Sequence, residues 1–317
     1  MKTITFVTIL LAGSCMAIGP ASAQRSFDYS KVEEKPVDLG HGLTAIIPTS
    51  DDPAMAIGCT TVAVGSDGII VVDTQFPALY DKIKAQIAKL SPLPVKYVIN
   101  THAHGDHTGA NANFSADGAI IVAHENVLRA MSHPPPGANG QPGIPVPKAA
   151  WPVQTYTGQG TEVNIGGQRA ELVHVEHAHT DGDTLIFFPD ADVIATGDTM
   201  HRPGYPSVDA PGSGNSTDGM IAAASFIVDH SDAKTKIVPG HGQVTDRAGA
   251  IAFRNMLVTA KARLAKDIAS GMTEEQVVAA NPLADLDKVW LIKGNGASSR
   301  FLINYYRLVK SELQMPK

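Results

Sequence analysis

Three histidines and an aspartate stand close together, at His102, His104, Asp106 and His107, directly after an apolar run at residues 95–100. The chain has twelve histidines in 317 residues, so this segment is strongly enriched in imidazole. Neutral imidazole nitrogens and carboxylate oxygens are the ligands of borderline metals, zinc above all. His102 and His104 lie two residues apart, which places both side chains on one side of an extended segment. Asp106 and His107 follow where the chain turns, so this one loop offers ligands for two adjacent metal ions.

Three later segments each place a further metal-binding side chain after a predicted strand. The first carries His177 and His179, the second carries Asp198, and the third carries His241. Proteins with alternating helices and strands build their sites at the carboxyl ends of strands. Glycines beside Asp198 and on both sides of His241 allow close approach of the backbone. We expect these segments to complete the metal shell.

The elements that must position these side chains are short strands and amphipathic helices. Alternating or continuous apolar runs predict strands at residues 43–47, 60–64, 68–73, 95–100, 119–123, 162–165, 170–175, 184–188, 193–196 and 236–238. Helical spacing of apolar residues predicts helices at residues 77–90, 125–131, 218–228, 251–269, 273–280 and 298–313. Residues 24–40 are polar, contain Pro36 and are expected to be a loose lead-in. Residues 133–152 and 201–215 are rich in Pro and Gly and predict two long loops, the second beginning with His201, which matches no motif.

The first 23 residues have the features of a secretory signal peptide. Lys2 is followed by an apolar stretch at residues 4–12 and by a small-residue cleavage site at residues 21–23. We therefore expect export, to the periplasm. A lipid anchor at Cys15 is not favoured, because the residue three positions before it is Ala rather than Leu.

Composition restricts the remaining chain to a few classes. The net charge of −6 argues against a nucleic-acid partner, which requires a basic face. Of the two cysteines only Cys59 remains after cleavage, so no internal disulfide is expected. No other apolar run is long enough to span a membrane. We expect residues 24–317 to form a single domain, with a core at 42–245 and a helical extension at 246–317.

The cluster Thr-His-Ala-His-Gly-Asp-His at residues 101–107 resembles the His-x-His-x-Asp-His signature of the metallo-β-lactamase superfamily. Asp73, His179, Asp198 and His241 match the further landmarks of that family in the correct order. The resemblance implies an αββα sandwich, here with extra C-terminal helices, and points to an exported bacterial member.

The same resemblance implies a role for each matching residue. It implies two zinc ions per chain, held by His102, His104, Asp106, His107, His179, Asp198 and His241. Asp198 would bridge the two ions, and Asp106 would also act in catalysis. Asp73 would orient a ligand imidazole by a hydrogen bond.

The function implied is that of a dinuclear zinc-dependent hydrolase. Metal-bound hydroxide would cleave a small ester, thioester, lactone or lactam. In the best-known β-lactamases of the family the position of Asp198 is Cys or Ser, so a true β-lactamase is kept as the alternative. An iron-dependent oxidoreductase of the same fold is the alternative of another class. In and beside the two loops, His133, Trp151 and Tyr205 are the candidate substrate contacts, for a small-molecule substrate.

Overall fold

Short strands and amphipathic helices alternate along the chain in a computed structural model that describes residues 27–52, 55–134, 141–209, 211–292 and 297–314. The expected signal peptide at residues 1–23, with Cys15, lies outside the described residues. The strands are β1 (Glu33–Gly40), β2 (Leu43–Thr49), β3 (Thr60–Val64), β4 (Ile69–Val72), β5 (Val95–Ile99), β6 (Ile120–His124), β7 (Gln154–Tyr156), β8 (Gly160–Ile165), β9 (Gln168–His174), β10 (Thr184–Phe188), β11 (Val193–Ala195), β12 (His201–Arg202), β13 (Lys236–Val238) and β14 (His241–Gly242). The helices are α1 (Tyr80–Leu90), α2 (Gly105–Thr108), α3 (Asn111–Ala116), α4 (Glu125–Ser132), α5 (Thr217–Asp229), α6 (Arg247–Ala269), α7 (Glu274–Ala280), α8 (Asp287–Trp290) and α9 (Ala297–Gln314).

The strands form two large sheets and one small ladder. The first sheet has seven strands in the order β1 to β7, antiparallel from β1 to β4 and parallel from β4 to β7. The second has five strands in the order β13-β11-β10-β9-β8, and β11 and β13 run parallel. β12 and β14 pair separately as a two-stranded ladder. The parallel strands bring several carboxyl ends to one edge of each sheet.

The first sheet is buried on both faces, as its continuous apolar strands require. Ile70 and Val72 of β4 face the second sheet and share a buried cluster with Phe188 of β10. Val71, between them, points the other way and packs with Ile83 of α1. This alternation follows from the two-residue period of a strand.

The second sheet carries the C-terminal helices on its outer face. Leu185 of β10 and Ile194 of β11 join a buried cluster with Ile227 of α5, Phe253 of α6 and Tyr305 of α9. Burying one such side chain contributes about 1.5–3 kcal/mol, so the helices are held mainly by this apolar face. The four layers and the added helices confirm the αββα sandwich with a C-terminal extension.

The prediction of a loose lead-in over residues 24–40 is wrong for its second half. β1 pairs antiparallel with β2 along its length, and Pro36 lies opposite Ile46. Only Glu34 and Leu39 of this strand are buried, so it lacks an apolar pattern. An edge strand tolerates Pro because the missing N–H faces away from the sheet. The first sheet thus begins before residue 42.

Other differences are small and concern the shortest elements. β7, β12 and β14 were not predicted, since strands of two or three residues have no readable period. α6 begins at Arg247 rather than at residue 251, because the side chain of Asp246 accepts a hydrogen bond from the Gly249 N–H and caps the helix. Within the described residues, none of the helices combines the length and the apolar character needed to cross a bilayer.

Candidate metal centre

Four chain segments converge at the edge where the strands of both sheets end. Each of the seven predicted ligands follows a strand or opens the next element, and the structure brings all seven together. One donor group consists of His102, His104, His179 and Asp198, and its ligand atoms lie within 4.8 Å of one another. A second group with the same spacing consists of Asp106, His107 and His241.

The first group surrounds a common point. The Nε2 atom of His179 lies 2.9 Å from Nδ1 of His104 and 3.5 Å from Oδ2 of Asp198. The ring of His102 is 4.8 Å from each of the other two rings, and its Nε2 is buried without a hydrogen-bond partner. An unpartnered buried nitrogen costs free energy unless something else binds its lone pair. This arrangement therefore fits a cation.

The outer nitrogens of this group have partners that fix the ring orientations. His179 donates its Nδ1–H to the Ser207 carbonyl at 3.2 Å, which leaves Nε2 as the free acceptor. The Nε2 of His104 lies 3.2 Å from Oδ2 of Asp209, so Nδ1 faces the centre. Such outer partners set the tautomer of a metal-ligating histidine. Neither Ser207 nor Asp209 was predicted, because both lie in the loop at residues 201–215.

The second group meets the first at Asp198. Its Oδ1 lies 3.1 Å from Nε2 of His107 and 3.2 Å from Nε2 of His241, while Oδ2 faces His179. Oδ2 of Asp106 lies 3.2 Å from Nε2 of His241. One carboxylate thus contributes an oxygen to each group, as bridging of two ions requires.

Asp73 supports both groups from behind. Its Oδ1 accepts the Thr101 N–H at 2.8 Å, and its Oδ2 accepts the Thr101 hydroxyl and the His107 Nδ1–H, each at 2.7 Å. Because the Thr101 proton goes to the carboxylate, the hydroxyl oxygen can accept from His102 Nδ1 at 3.0 Å. Asp73 thereby directs the Nε2 atoms of two histidines toward the centre. It adopts a φ of +60°, an uncommon conformation for a residue with a side chain.

The charges of the centre compensate one another in the protein without metal. Burial opposes protonation of His107, but the carboxylates of Asp198, Asp106 and Asp73 outweigh it and raise its pKa well above the usual value. Burial likewise opposes protonation of His241, and the same Asp198 and Asp106 raise its pKa to about 9. Burial would raise the pKa of Asp106, yet the two imidazoles lower it to about 2. Protons on the imidazoles thus hold positive charge where metal cations can replace them.

His201 is a buried histidine beside these groups that matches no motif. Its Nε2 lies 3.3 Å from Oδ2 of Asp198 and has no hydrogen-bond partner. Asp198, His201 and His241 form a third set of donors within 4.8 Å of one another. The one available sequence signal was the three-residue spacing from Asp198.

The three candidate substrate contacts lie at different places. His133 is exposed at the end of α4, and its Nδ1 is 2.9 Å from the Ser132 hydroxyl. Trp151 is half-buried and donates its indole N–H to the Val146 carbonyl at 2.8 Å. Tyr205 is buried, and its hydroxyl donates to Asp287 at 2.9 Å. The structure does not place any of these three polar groups among the metal donors.

Two cavities flank the centre. A cavity of about 260 Å³ adjoins His104 and is lined by Ala103, Val127, Ala130, Met131 and Val146 among others. A second, of about 200 Å³, adjoins His201 and His241 and reaches Ile57, Tyr205 and Arg300. Small molecules therefore have access to the donors from both sides.

Comparison with known proteins identifies a family model and a shared fold. Residues 56–245, more than half of the chain, match the model of the metallo-β-lactamase superfamily. A metallo-β-lactamase from Pontibacter korlensis superposes with a TM-score of 0.55 at 16% identity, covering 71% of this chain and 99% of that one. The DIM-1 metallo-β-lactamase superposes with a TM-score of 0.55 at 16% identity, covering 72% of this chain and 99% of that one. At this identity the likeness concerns the fold.

One sequence relative is named for a different activity. The 2,4-dinitroanisole O-demethylase subunit alpha of Nocardioides sp. (strain JS1661) is 32% identical over 150 residues. The match covers 44% of this chain and 43% of the relative, so this chain spans less than half of that relative's length.

The backbone next to Asp198 leaves no room for a side chain. A Cβ added at Gly240 would lie 2.1 Å from Oδ1 of Asp198, whereas one added at Gly105 would meet nothing within 4 Å. We expect Gly240→Ala to displace the bridging carboxylate and weaken metal affinity at least about tenfold, measured by competition with a chelator. Gly105→Ala, in the same centre, is the matched control and should bind metal like the wild type. Equal affinities in all three proteins would contradict this geometry.

Metal binding should strengthen as the pH rises. The pKa of His241 without metal is raised from 6.5 to about 9. Protonation of His241 therefore stabilises the metal-free protein in full below pH 6.5, and this stabilisation is lost as the pH rises to about 9. Across that interval the metal-free protein should lose stability, and the increase in Tm on adding Zn²⁺ should grow. Thermal unfolding with Zn²⁺ and with EDTA measures both. An increment that shrinks as pH rises would refute this charge balance.

Proposed function

Because this chain belongs to the metallo-β-lactamase superfamily, we propose that it is a dinuclear zinc-dependent hydrolase of a small ester, thioester, lactone or lactam. The observation that carries the proposal is the pair of adjacent donor groups, each of which is contacted by one carboxylate oxygen of Asp198. Nitrogen and oxygen donors in this number suit zinc. The first ion would be held by the group containing His102, the second by the group containing Asp106, and Asp198 would contact both.

The residues divide the remaining work. When bound, the two cations supply Lewis acidity toward water and toward the substrate carbonyl. Asp106 stays ionised near neutral pH, and its side chain is 18% exposed, so its carboxylate can accept a hydrogen bond from an entering water and orient it. Asp73 is buried and holds His107 and, through Thr101, His102. It positions ligands and does not meet the substrate.

A thiol nucleophile does not fit this site. Cys59 is buried, and its thiol donates a hydrogen bond to the Gly242 carbonyl, with 3.4 Å between Sγ and the oxygen. Burial raises the pKa of this thiol far above its usual value, which keeps it protonated. Water is therefore the nucleophile that the proposal requires.

The cavity beside His104 favours a substrate with an uncharged apolar group. An apolar cavity of about 150 Å³ is enough to bind benzene, and this one measures about 260 Å³. Its walls include Val127, Met131 and Val146, and the ionisable groups among its lining residues are His104 and the carboxylates of Asp181 and Asp209. An aromatic ring or a short acyl chain fits this lining, and an anionic group does not.

The β-lactamase alternative requires a group that binds a carboxylate in the second cavity, beside His201 and His241. β-Lactam antibiotics carry a carboxylate, and Arg300 lines the cavity beside His241. Turnover of a chromogenic cephalosporin that stops in EDTA would select this alternative over an ester or lactone hydrolase.

An iron-dependent oxidoreductase is the second candidate, and the relative named as an O-demethylase favours it. Demethylation of an aryl methyl ether has two balanced routes. Water yields the phenol and methanol, whereas dioxygen, with two protons and two electrons from an added reductant such as a reduced nicotinamide, yields the phenol, formaldehyde and water. Metal analysis, together with assays for methanol, formaldehyde and oxygen uptake, separates the two routes. Iron with oxygen uptake would replace the hydrolase proposal.

Export, expected from residues 1–23 alone, remains part of the proposal.

Removing a ligand tests the hydrolase directly. Zinc-loaded protein should hydrolyse activated esters or lactones, and Asp198→Ala should lose activity at least about hundredfold, since even outer partners of a metal are worth 10–100-fold. Asp190→Ala, at an exposed aspartate in the short 3-10 helix Pro189–Ala191, is the matched control and should keep wild-type rates. Initial rates across an ester, thioester, lactone and lactam panel provide the measurement. Activity that survives Asp198→Ala or EDTA would exclude metal-dependent hydrolysis.

A substitution in the cavity wall tests which side the acyl group occupies. Ala130, on α4, lines the cavity beside His104 and is half-buried. Ala130→Phe should fill this space and lower kcat/KM for benzoyl esters by about tenfold or more relative to acetyl esters, because misfit of a few atoms costs 1–3 kcal/mol. Ala279→Phe, on the exposed face of α7, is the control and should leave the ratio unchanged. An unchanged ratio in Ala130→Phe would place the acyl group elsewhere.

A further inference from the structure

His201 is the imidazole at the centre that the seven-residue ligand set leaves unused. It is 6% exposed, and its buried Nε2 has no hydrogen-bond partner. This atom lies 3.3 Å from Oδ2 of Asp198. A buried imidazole nitrogen without a partner is destabilising on its own, so its position calls for a ligand.

The backbone fixes the position of this ring. β12 and β14 pair in parallel with His201 opposite His241, and the Gln243 N–H donates to the Arg202 carbonyl at 2.6 Å. Residues opposite each other in a ladder present their side chains to the same face. The two rings accordingly lie 4.7 Å apart. This two-stranded ladder brings His201 beside an expected ligand even though the chain separates them widely.

The donor atoms nearest to His201 form a set suited to a cation. Ligand atoms of Asp198, His201 and His241 lie within 4.8 Å of one another. We propose that His201 is an eighth metal ligand, which binds through Nε2 the ion that Asp198 and His241 also contact. The inference rests on the metal-binding part of the proposed function and not on hydrolysis. With His201 added, this ion would have more protein ligands than the other ion.

Two other roles for His201 have different consequences. As a hydrogen-bond donor it would hold Oδ2 of Asp198, and a glutamine amide at the same place could do this too. As a wall of the cavity of about 200 Å³ it would touch substrate and leave metal binding unchanged. A ligand role predicts that only an imidazole supports full binding, since an amide is a poor zinc ligand.

The test measures metal binding rather than turnover. Full-length wild type, His201→Ala, His201→Gln and His230→Ala are titrated with Co²⁺ and followed by absorption, and zinc affinity is measured by chelator competition. His230 is an exposed histidine at the end of α5 and controls for loss of an imidazole. We expect wild type and His230→Ala to bind two ions. His201→Ala and His201→Gln should each weaken one ion at least about tenfold and change the Co²⁺ spectrum.

Three other outcomes would overturn the inference, and a fourth would overturn only the proposed hydrolysis. Unchanged affinity and spectrum in His201→Ala would show that His201 does not bind the ion. Restoration by Gln alone would assign it a hydrogen-bonding role. Wild type that binds no divalent ion would refute this inference and the metal hydrolase together, whereas two bound ions without hydrolysis would refute only the latter. Circular dichroism and metal-free thermal unfolding of each variant establish that it is folded.

Discussion

The buried carboxylate of Asp198 is the group on which the whole arrangement depends. Its side chain is 3% exposed, and histidine nitrogens approach both of its oxygens: His107 and His241 at Oδ1, His179 and His201 at Oδ2. A buried charge is tolerated only where compensating charge and hydrogen bonds surround it. Protons on His107 and His241, whose pKa values are raised, supply that charge in the metal-free protein, and bound cations would supply it in a loaded one. Both states require the same four rings to stay in place.

Backbone hydrogen bonds within and between the two sheets hold the segments that carry these rings. The Thr184 N–H donates to the Thr101 carbonyl at 2.9 Å and joins the second sheet to the loop that carries the histidine cluster. The Gly240 N–H donates to the Gly197 carbonyl at 2.8 Å, and the Cys59 N–H donates to the Gly240 carbonyl at 2.7 Å. Donors from distant segments are thus fixed by main-chain contacts, which do not depend on side-chain rotamers. The apolar core between the sheets makes this edge rigid, and rigid donors are what a metal site of defined geometry needs.

The sequence was sufficient to predict the donors whose residue type suits a metal and whose position follows a predicted strand. His102, His104 and His107 stand in one short segment, so their convergence needed little knowledge of the fold. Asp209 and His201 could not be found in this way, because their contacts depend on the path of a loop rich in Pro and Gly, whose course no local period determines. β1 was not predicted, for a related reason. Its stability comes from pairing with β2 rather than from its own apolar pattern, so a polar edge strand looks like a loop.

The donors and the substrate walls come from different parts of this fold. Strand ends that the buried core holds in place supply the donors, whereas the wall beside His104 comes from α4 and from loop residues such as Val146. A change in the wall therefore leaves the metal shell intact, and one set of donors can serve several reactions. The metallo-β-lactamases that share this fold and the sequence relative named as an O-demethylase carry names for different reactions. Under the hydrolase proposal, the apolar wall of this cavity, more than the metal ligands, would select the substrate.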